Sequence, residues 1–211
     1  MTSALTIDRF LDRFPLIAIL RGVRPDEVEA IGDVLVDAGF SILEVPLNSP
    51  DPLDSIARLA CRFPDALIGA GTVMTPQDVH AVAKAGGRLI LMPHSDPAVV
   101  RAACEAGLLC VPGVATPTEA FAALANGAAA LKLFPAEQMP PVIVKAWRAV
   151  VPHQVRLLPV GGINPDSMAA YLAAGAAGFG LGSALYRPGM TAAEVAERAQ
   201  AFCAALAVLK V

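Results

Sequence analysis

The feature that most constrains this chain is a cycle of short apolar runs and amphipathic runs, repeated eight times with the same punctuation. Thr75-Pro76, Asp96-Pro97, Thr116-Pro117 and Asn164-Pro165 each set a capping side chain before a proline, the local pattern that opens a helix. Ala38-Gly39, Ala85-Gly86, Ala106-Gly107, Asn126-Gly127 and Ala174-Gly175 each put glycine where a helix stops. Between stop and start lie apolar runs over residues 16–20, 42–46, 66–70, 88–91, 108–111, 128–135, 155–160 and 178–181. They are too short for core helices and apolar on both faces, as buried parallel strands are. Helices are expected over 5–13, 25–38, 52–62, 75–85, 96–106, 116–126, 141–150, 164–174 and 192–209.

Strands that alternate with helices pair in parallel through crossover connections. Eight such units predict an α/β fold, a (β/α)8 TIM barrel with a short N-terminal helix. The competitor is an open doubly wound sheet. It is discounted because no Gly-x-Gly-x-x-Gly follows the first strand, where Arg21-Gly22 stands. The units lack mutual identity, so the period is that of a fold and not of a solenoid. No linker breaks the pattern, and residues 1–211 are expected to form a single barrel domain.

Composition excludes several classes of function. With 55% hydrophobic and 17% charged residues the chain can bury a large core and does not read as disordered. A net charge of −3 offers no basic surface for nucleic acid. No apolar run free of charge, glycine and proline is long enough to span a bilayer, so no membrane partner is expected. The opening residues 1–10 lack a basic start followed by an apolar run, so no secretory signal and a cytoplasmic setting are expected. Cys61, Cys104, Cys110 and Cys203 have neither metal-ligand nor disulfide-framework spacing, and three of them sit in helix-like or strand-like apolar contexts and read as reduced core thiols.

One residue does not fit its strand. Lys132 lies in the apolar run Ala128-Ala129-Ala130-Leu131-Lys132-Leu133-Phe134-Pro135. Burial disfavours an ammonium and lowers its pKa, and a neutral amine can attack a carbonyl to form a Schiff base. The plainer reading is a lysine paired with a carboxylate or snorkelling to the rim. Glu44, flanked by Ile42, Leu43 and Val45, suits either reading: the ion-pair partner of Lys132, or a general base with a raised pKa. The two are compatible.

The remaining polar groups also fall at strand ends, where this fold keeps its catalytic residues. Arg21 is a rim charge or an anion clamp, and Thr72 on its own is an ordinary capping residue. Pro93 and His94 follow the fourth strand. Gly161-Gly162 and Gly182-Ser183 follow the last two strands, where glycine lets backbone N–H groups approach a phosphate. His80, His94 and His153 lie on separate units without ligand spacing, so no metal is expected; His80 and His153 read as surface residues.

With these motifs in view, the chain resembles the class I 2-keto-3-deoxy-6-phosphosugar-acid aldolases, the KDPG and KDPGal aldolases. The resemblance covers nearly the whole chain. It rests on Ile19-Leu20-Arg21-Gly22, Glu44-Val45-Pro46-Leu47-Asn48-Ser49-Pro50, Ile68-Gly69-Ala70-Gly71-Thr72-Val73, Pro112-Gly113-Val114-Ala115-Thr116-Pro117-Thr118-Glu119, Leu131-Lys132-Leu133-Phe134-Pro135-Ala136-Glu137 and Val160-Gly161-Gly162. It implies a homotrimer without metal or external cofactor. It implies Lys132 as the Schiff-base lysine and Glu44 as the proton-transfer base, partly through water. Arg21 and Thr72 would hold the carboxylate end, Pro93 would shape the pocket, and Gly161, Gly162, Gly182 and Ser183 would cradle the phosphate. His94 departs from the family pattern and is left out of the expected site.

Leu47-Asn48-Ser49-Pro50 and Val160 look like the galactonate branch, since gluconate enzymes carry an Arg-Thr pair and a threonine there. The implied reaction is reversible cleavage of 2-dehydro-3-deoxy-6-phospho-D-galactonate, a phosphorylated keto-deoxy sugar acid, to pyruvate and D-glyceraldehyde 3-phosphate. The alternatives are a KDPG or 4-hydroxy-2-oxoglutarate aldolase, and a phosphosugar isomerase or epimerase on the same barrel.

Overall fold

The computed structural model describes residues 5–209. Met1–Ala4, on which the reading of the N-terminus partly rests, lie outside the described residues. In chain order the elements are α1 (Asp8–Leu11), β1 (Leu16–Ile19), α2 (Val28–Asp37), β2 (Ile42–Pro46), α3 (Pro52–Arg62), β3 (Leu67–Gly71), α4 (Pro76–Lys84), β4 (Leu89–Leu91), α5 (Pro97–Glu105), β5 (Leu109–Val111) and β6 (Gly113–Val114). They continue with α6 (Pro117–Ala125), β7 (Leu131–Leu133), α7 (Pro141–Trp147), β8 (Leu157–Pro159), α8 (Met168–Ala173), β9 (Phe179–Leu181) and α9 (Ala192–Leu209). The fold is α/β, with all named strands parallel in two arcs, β5-β4-β3-β2-β1-β9 and β6-β7-β8.

The helix starts form as their local chemistry dictates. Thr75 and Asp78 satisfy each other's backbone N–H groups in a capping box at α4, and Thr116 and Glu119 do the same at α6. Asp96 accepts from the Ala98 amide at α5. Two starts differ from expectation. Pro25–Glu27 form a turn, and α2 begins only at Val28, because the Glu27 carboxylate folds back onto the Arg24 amide. Asn164 caps a 3-10 turn at residues 165–167 before α8.

The arcs meet at two places. Val160 and Gly180 form a parallel bridge between β8 and β9. On the other side, Pro112 separates β5 from β6, since proline has no N–H to continue a ladder. Backbone bonds still cross there, from Ala129 N to Cys110 O (2.8 Å) and from Lys132 N to Pro112 O (2.9 Å). The lysine run, expected over 128–135, is therefore regular strand only at Leu131–Leu133.

Side chains alternate across each strand, and the alternation divides the core. Leu16, Ala18, Leu43, Val45, Ile68, Ile90, Leu131, Leu157 and Phe179 pack outward, against the helices. Ile17, Ile42, Leu67, Leu89, Leu91, Val111, Ala130 and Leu158 form a second cluster on the concave side, drawn from both arcs. Ile7, Phe10 and Leu11 join it, so α1 plugs its N-terminal end. The expected helix over 5–13 is a single turn. It is tethered by Arg156, which donates to Asp8 (2.6 Å) and Asp12 (2.7 Å).

The cysteine expectation holds in part. Cys110 is buried and its thiol is pushed up to about 12 by burial, but Cys61 and Cys104 are exposed and Cys203 is half-buried. Their helices turn those positions outward. No described helix is long and apolar enough to cross a membrane.

Candidate active site

The concave cluster ends one side-chain pair short of the C-terminal ends of the strands. Two residues beyond Ile42 on the same face is Glu44, and two beyond Ala130 is Lys132. Glu44 is 1% exposed and Lys132 6%. Neither belongs to an ion pair among the described residues, whose salt bridges all lie elsewhere. Proximity without close pairing leaves burial as the dominant influence on both groups. It pushes the Glu44 carboxyl up to about 7, against the pull of Lys132, Arg21 and the Gly71 backbone. It lowers the Lys132 ammonium, with Arg21 adding to that effect and Glu44 opposing it. Near neutrality Glu44 can thus hold or release a proton, and the Lys132 amine, its ammonium disfavoured by burial, gains nucleophilic character. The Phe134 ring, 4.5 Å from Nζ, walls the lysine.

Glu44 reaches this position because Gly71 leaves room. A Cβ on Gly71 would lie 2.1 Å from Glu44 Oε2, an atom with no hydrogen-bond partner. A buried carboxylate oxygen left unsatisfied is costly and marks a site open to a proton or a ligand.

Arg21 leaves the end of β1 and donates through Nη1 to Asn48 Oδ1 (2.8 Å) and Thr72 Oγ1 (3.4 Å). Gly22 N donates to Ser49 Oγ (2.9 Å), so the loops after β1 and β2 are joined twice. Thr72 is not a helix cap, a role that Thr75 fills. It sits at φ 56°, a left-handed conformation that strains a β-branched residue by about 1–3 kcal/mol. Such strain persists where the surroundings hold a side chain for use.

A cavity of about 350 Å3 opens at this end, lined by Lys132, Arg21, Val160, Gly161, Gly162, Gly182 and Ser183. Seven of the ten expected site residues therefore share one hollow. Thr72 is linked to it through Arg21, and Glu44 lies buried beside Lys132. Pro93 does not line it; its backbone packs against Gly113, the residue paired with Lys132. A larger hollow of about 470 Å3 beside Leu47, Leu53 and Asp78 brings no comparable set of groups together. Gly161 and Gly162 have φ of 113° and 65°, which few residues but glycine adopt. The amides of Gly162, Ile163, Ser183 and Ala184 donate to no other group among the described residues, leaving four N–H groups for an anion.

His80 and His153 are exposed, while His94 is half-buried with Nδ1 unpartnered. Among the described residues no three His, Cys, Asp or Glu side chains cluster as metal ligands would. The cavity also contains Phe134, Glu137 and Arg187, which the sequence did not single out. Phe134 and Glu137 follow Lys132 within the same motif. Arg187 stands one turn after Ser183, and only that spacing hints at it.

Comparison with known proteins agrees with this geometry. The family model "KDPG and KHG aldolase" matches residues 7–205. A Rhizobium meliloti (strain 1021) protein, "Probable 2-dehydro-3-deoxy-6-phosphogalactonate aldolase", is 49% identical over 192 residues, 90% of this chain and 91% of that one. The Escherichia coli (strain K12) "2-dehydro-3-deoxy-6-phosphogalactonate aldolase" is 47% identical over 191 residues, 90% and 93% of the two chains. A solved structure described as "Native KDPGal structure" superposes with a TM-score of 0.92 at 45% identity, covering 93% of this chain and 96% of that one.

Proposed function

The chain belongs to the KDPG and KHG aldolase family, and from that premise we propose that it is a class I aldolase for 2-dehydro-3-deoxy-6-phospho-D-galactonate. The products are pyruvate and D-glyceraldehyde 3-phosphate. The observation that carries this reading is Lys132, a buried lysine in no ion pair among the described residues, in one cavity with two glycine turns suited to phosphate.

The Lys132 amine attacks the C2 ketone, and loss of water gives a protonated imine. Glu44 takes the C4 hydroxyl proton as the C3–C4 electrons flow into the imine. The aldehyde leaves and an enamine of pyruvate remains. Protonation at C3 and hydrolysis release pyruvate and return the amine. Arg21, steadied by Asn48, holds the substrate carboxylate with Thr72, and Pro93 shapes the wall behind Lys132. Gly161, Gly162, Gly182 and Ser183 hold the phosphate.

Val160 supports the galactonate assignment. It is 5% exposed and lines the cavity between Lys132 and Gly161. A valine offers the C4 hydroxyl an apolar wall where a threonine would offer a hydrogen bond. The same proposal takes the two arcs as one closed (β/α)8 barrel forming a single domain, supported by the Val160–Gly180 bridge and the bonds across Pro112. It includes a cytoplasmic homotrimer, on the resemblance to the family.

The test has two parts. Pyruvate and borohydride should leave a reduced adduct on Lys132, found by peptide mapping; labelling at another lysine sinks the assignment. Measured kcat/KM should favour the galactonate epimer. Val160→Thr should shift the epimer ratio toward gluconate by about 5- to 150-fold, the worth of one buried hydrogen bond. An unchanged ratio would make Val160 mere packing.

A further inference from the structure

The cavity has a charge problem that the glycine turns do not solve. A phosphate monoester carries close to two negative charges near neutrality. Amide N–H groups are dipoles and cannot neutralise it. Glu137 aggravates the imbalance. A Cβ on Gly161 would lie 2.2 Å from Glu137 Oε2, so a carboxylate rests against the cradle.

The cations lining the cavity are Arg21, Lys132 and Arg187. Lys132 is engaged in the imine under the proposed function, and Arg21 is drawn toward Asn48 and Thr72, at the carboxylate end. Arg187 is different. Its Nε donates to Ser183 O (2.9 Å), the carbonyl of the phosphate turn itself. Arg198 Nη1 holds the same carbonyl (3.1 Å), which fixes the turn from a second side. Arg187 is in no ion pair among the described residues, and its two Nη groups make no other hydrogen bond there. Of the other exposed arginines, Arg24, Arg58 and Arg62 each meet a carboxylate, and Arg9 and Arg13, also in no ion pair among the described residues, do not line the cavity. Arg187 is thus an arginine with a fixed root and an unspent fork, on the wall of a cavity that must hold an anion.

We propose that Arg187 is a phosphate-binding residue, and that it makes the enzyme discriminate phosphorylated from neutral aldehydes. The inference rests on the aldolase reading above. With Nε anchored to the turn, the two Nη groups are left to meet a phosphate held in the same cavity by the Gly161-Gly162 and Gly182-Ser183 amides, and supply the charge that those amides lack.

The experiment runs the reaction in the condensation direction, pyruvate with either D-glyceraldehyde 3-phosphate or D-glyceraldehyde. In Arg187→Ala and Arg187→Gln the ratio of kcat/KM for the phosphorylated to the neutral aldehyde should fall about 10- to 100-fold, the range for a lost charge-assisted pair. Arg187→Lys should recover part of it. Inorganic phosphate should inhibit wild type competitively, and less so the variants. Borohydride trapping of pyruvate on Lys132 reports whether each variant is folded; if Ala and Gln fail it, the Lys variant carries the comparison with a smaller drop. A ratio within about twofold of wild type in the folded variants, or an equal loss with both aldehydes, overturns the proposal. Failure of the underlying reading looks different: wild type itself would not trap pyruvate.

Discussion

The two ends of the concave face use the same strands in opposite ways. At the N-terminal end Ile17, Ile42, Leu67, Leu89 and Leu158 close on one another beneath the α1 plug. One side-chain pair further on, the same face carries Glu44 and Lys132. Branched side chains fill the first end. At the second, Gly71 leaves room for the Glu44 carboxylate, and Gly161, Gly162, Gly180 and Gly182 line the cavity beside Lys132. The difference shows where stability is made and where it is given up: the apolar layer stabilises the fold, and the charged layer above it draws on that surplus.

The sharpest way to break the comparison is to make the two ends alike. Lys132→Met converts the upper layer into a copy of the lower one. Turnover should vanish and no pyruvate adduct should form. Stability in denaturant should nonetheless rise near neutral pH, since a desolvated amine is replaced by a packed apolar chain while Glu44, no longer pulled toward ionisation by Lys132, keeps its proton. A variant that loses stability would show that Lys132 supports the fold.

Glu44→Gln should lower cleavage by about 10²–10⁴ while the imine still forms. It also carries a pH signature. The folded protein holds the Glu44 proton up to about 7, whereas the unfolded chain loses it near the ordinary glutamate value of 4.5. Stability from this group is full below the lower value, falls as pH rises between the two, and does not recover above 7. The advantage of Glu44→Gln over wild type should therefore grow between about pH 5 and pH 8, by up to about 3 kcal/mol. Parallel unfolding curves at the two pH values measure it. A constant gap would mean that Glu44 titrates normally in the folded state.

Ile42→Ala tests the lower layer. It should cost about 2–5 kcal/mol in denaturant unfolding and leave the KM for pyruvate close to wild type. A large KM change at modest destabilisation would mean that the two layers are coupled, and that the lower end helps shape the site.

Much of this was legible in sequence because it is local. Thr75 with Asp78 and Thr116 with Glu119 are capping boxes within four residues, and Gly127 follows α6 with φ 98°. Lys132 and Glu44 stood out because a charge in an apolar run is almost never buried without a partner or a use. Other features were not legible. Runs apolar on both faces do not reveal which side is concave. Thr72 looks like a cap until its backbone is seen at φ 56°. Pro112 falls just past the strand expected over 108–111, yet it lies between two strands that pair with different neighbours.

What the sequence alone determined was therefore the order and type of the elements, most of the helix starts and stops, and the identity of the two buried charged groups, Glu44 and Lys132. Each follows from backbone preferences and capping bonds that act within a few residues. The tertiary structure decided the rest: that Arg21 meets Asn48 across 27 residues and Thr72 across 51, that Gly71 makes room for the Glu44 carboxylate, and that Arg187 stands free beside the glycine turns. These depend on strand register and on how the two arcs face each other. Contacts between distant segments are chosen by packing of the whole core, which no short window of sequence contains.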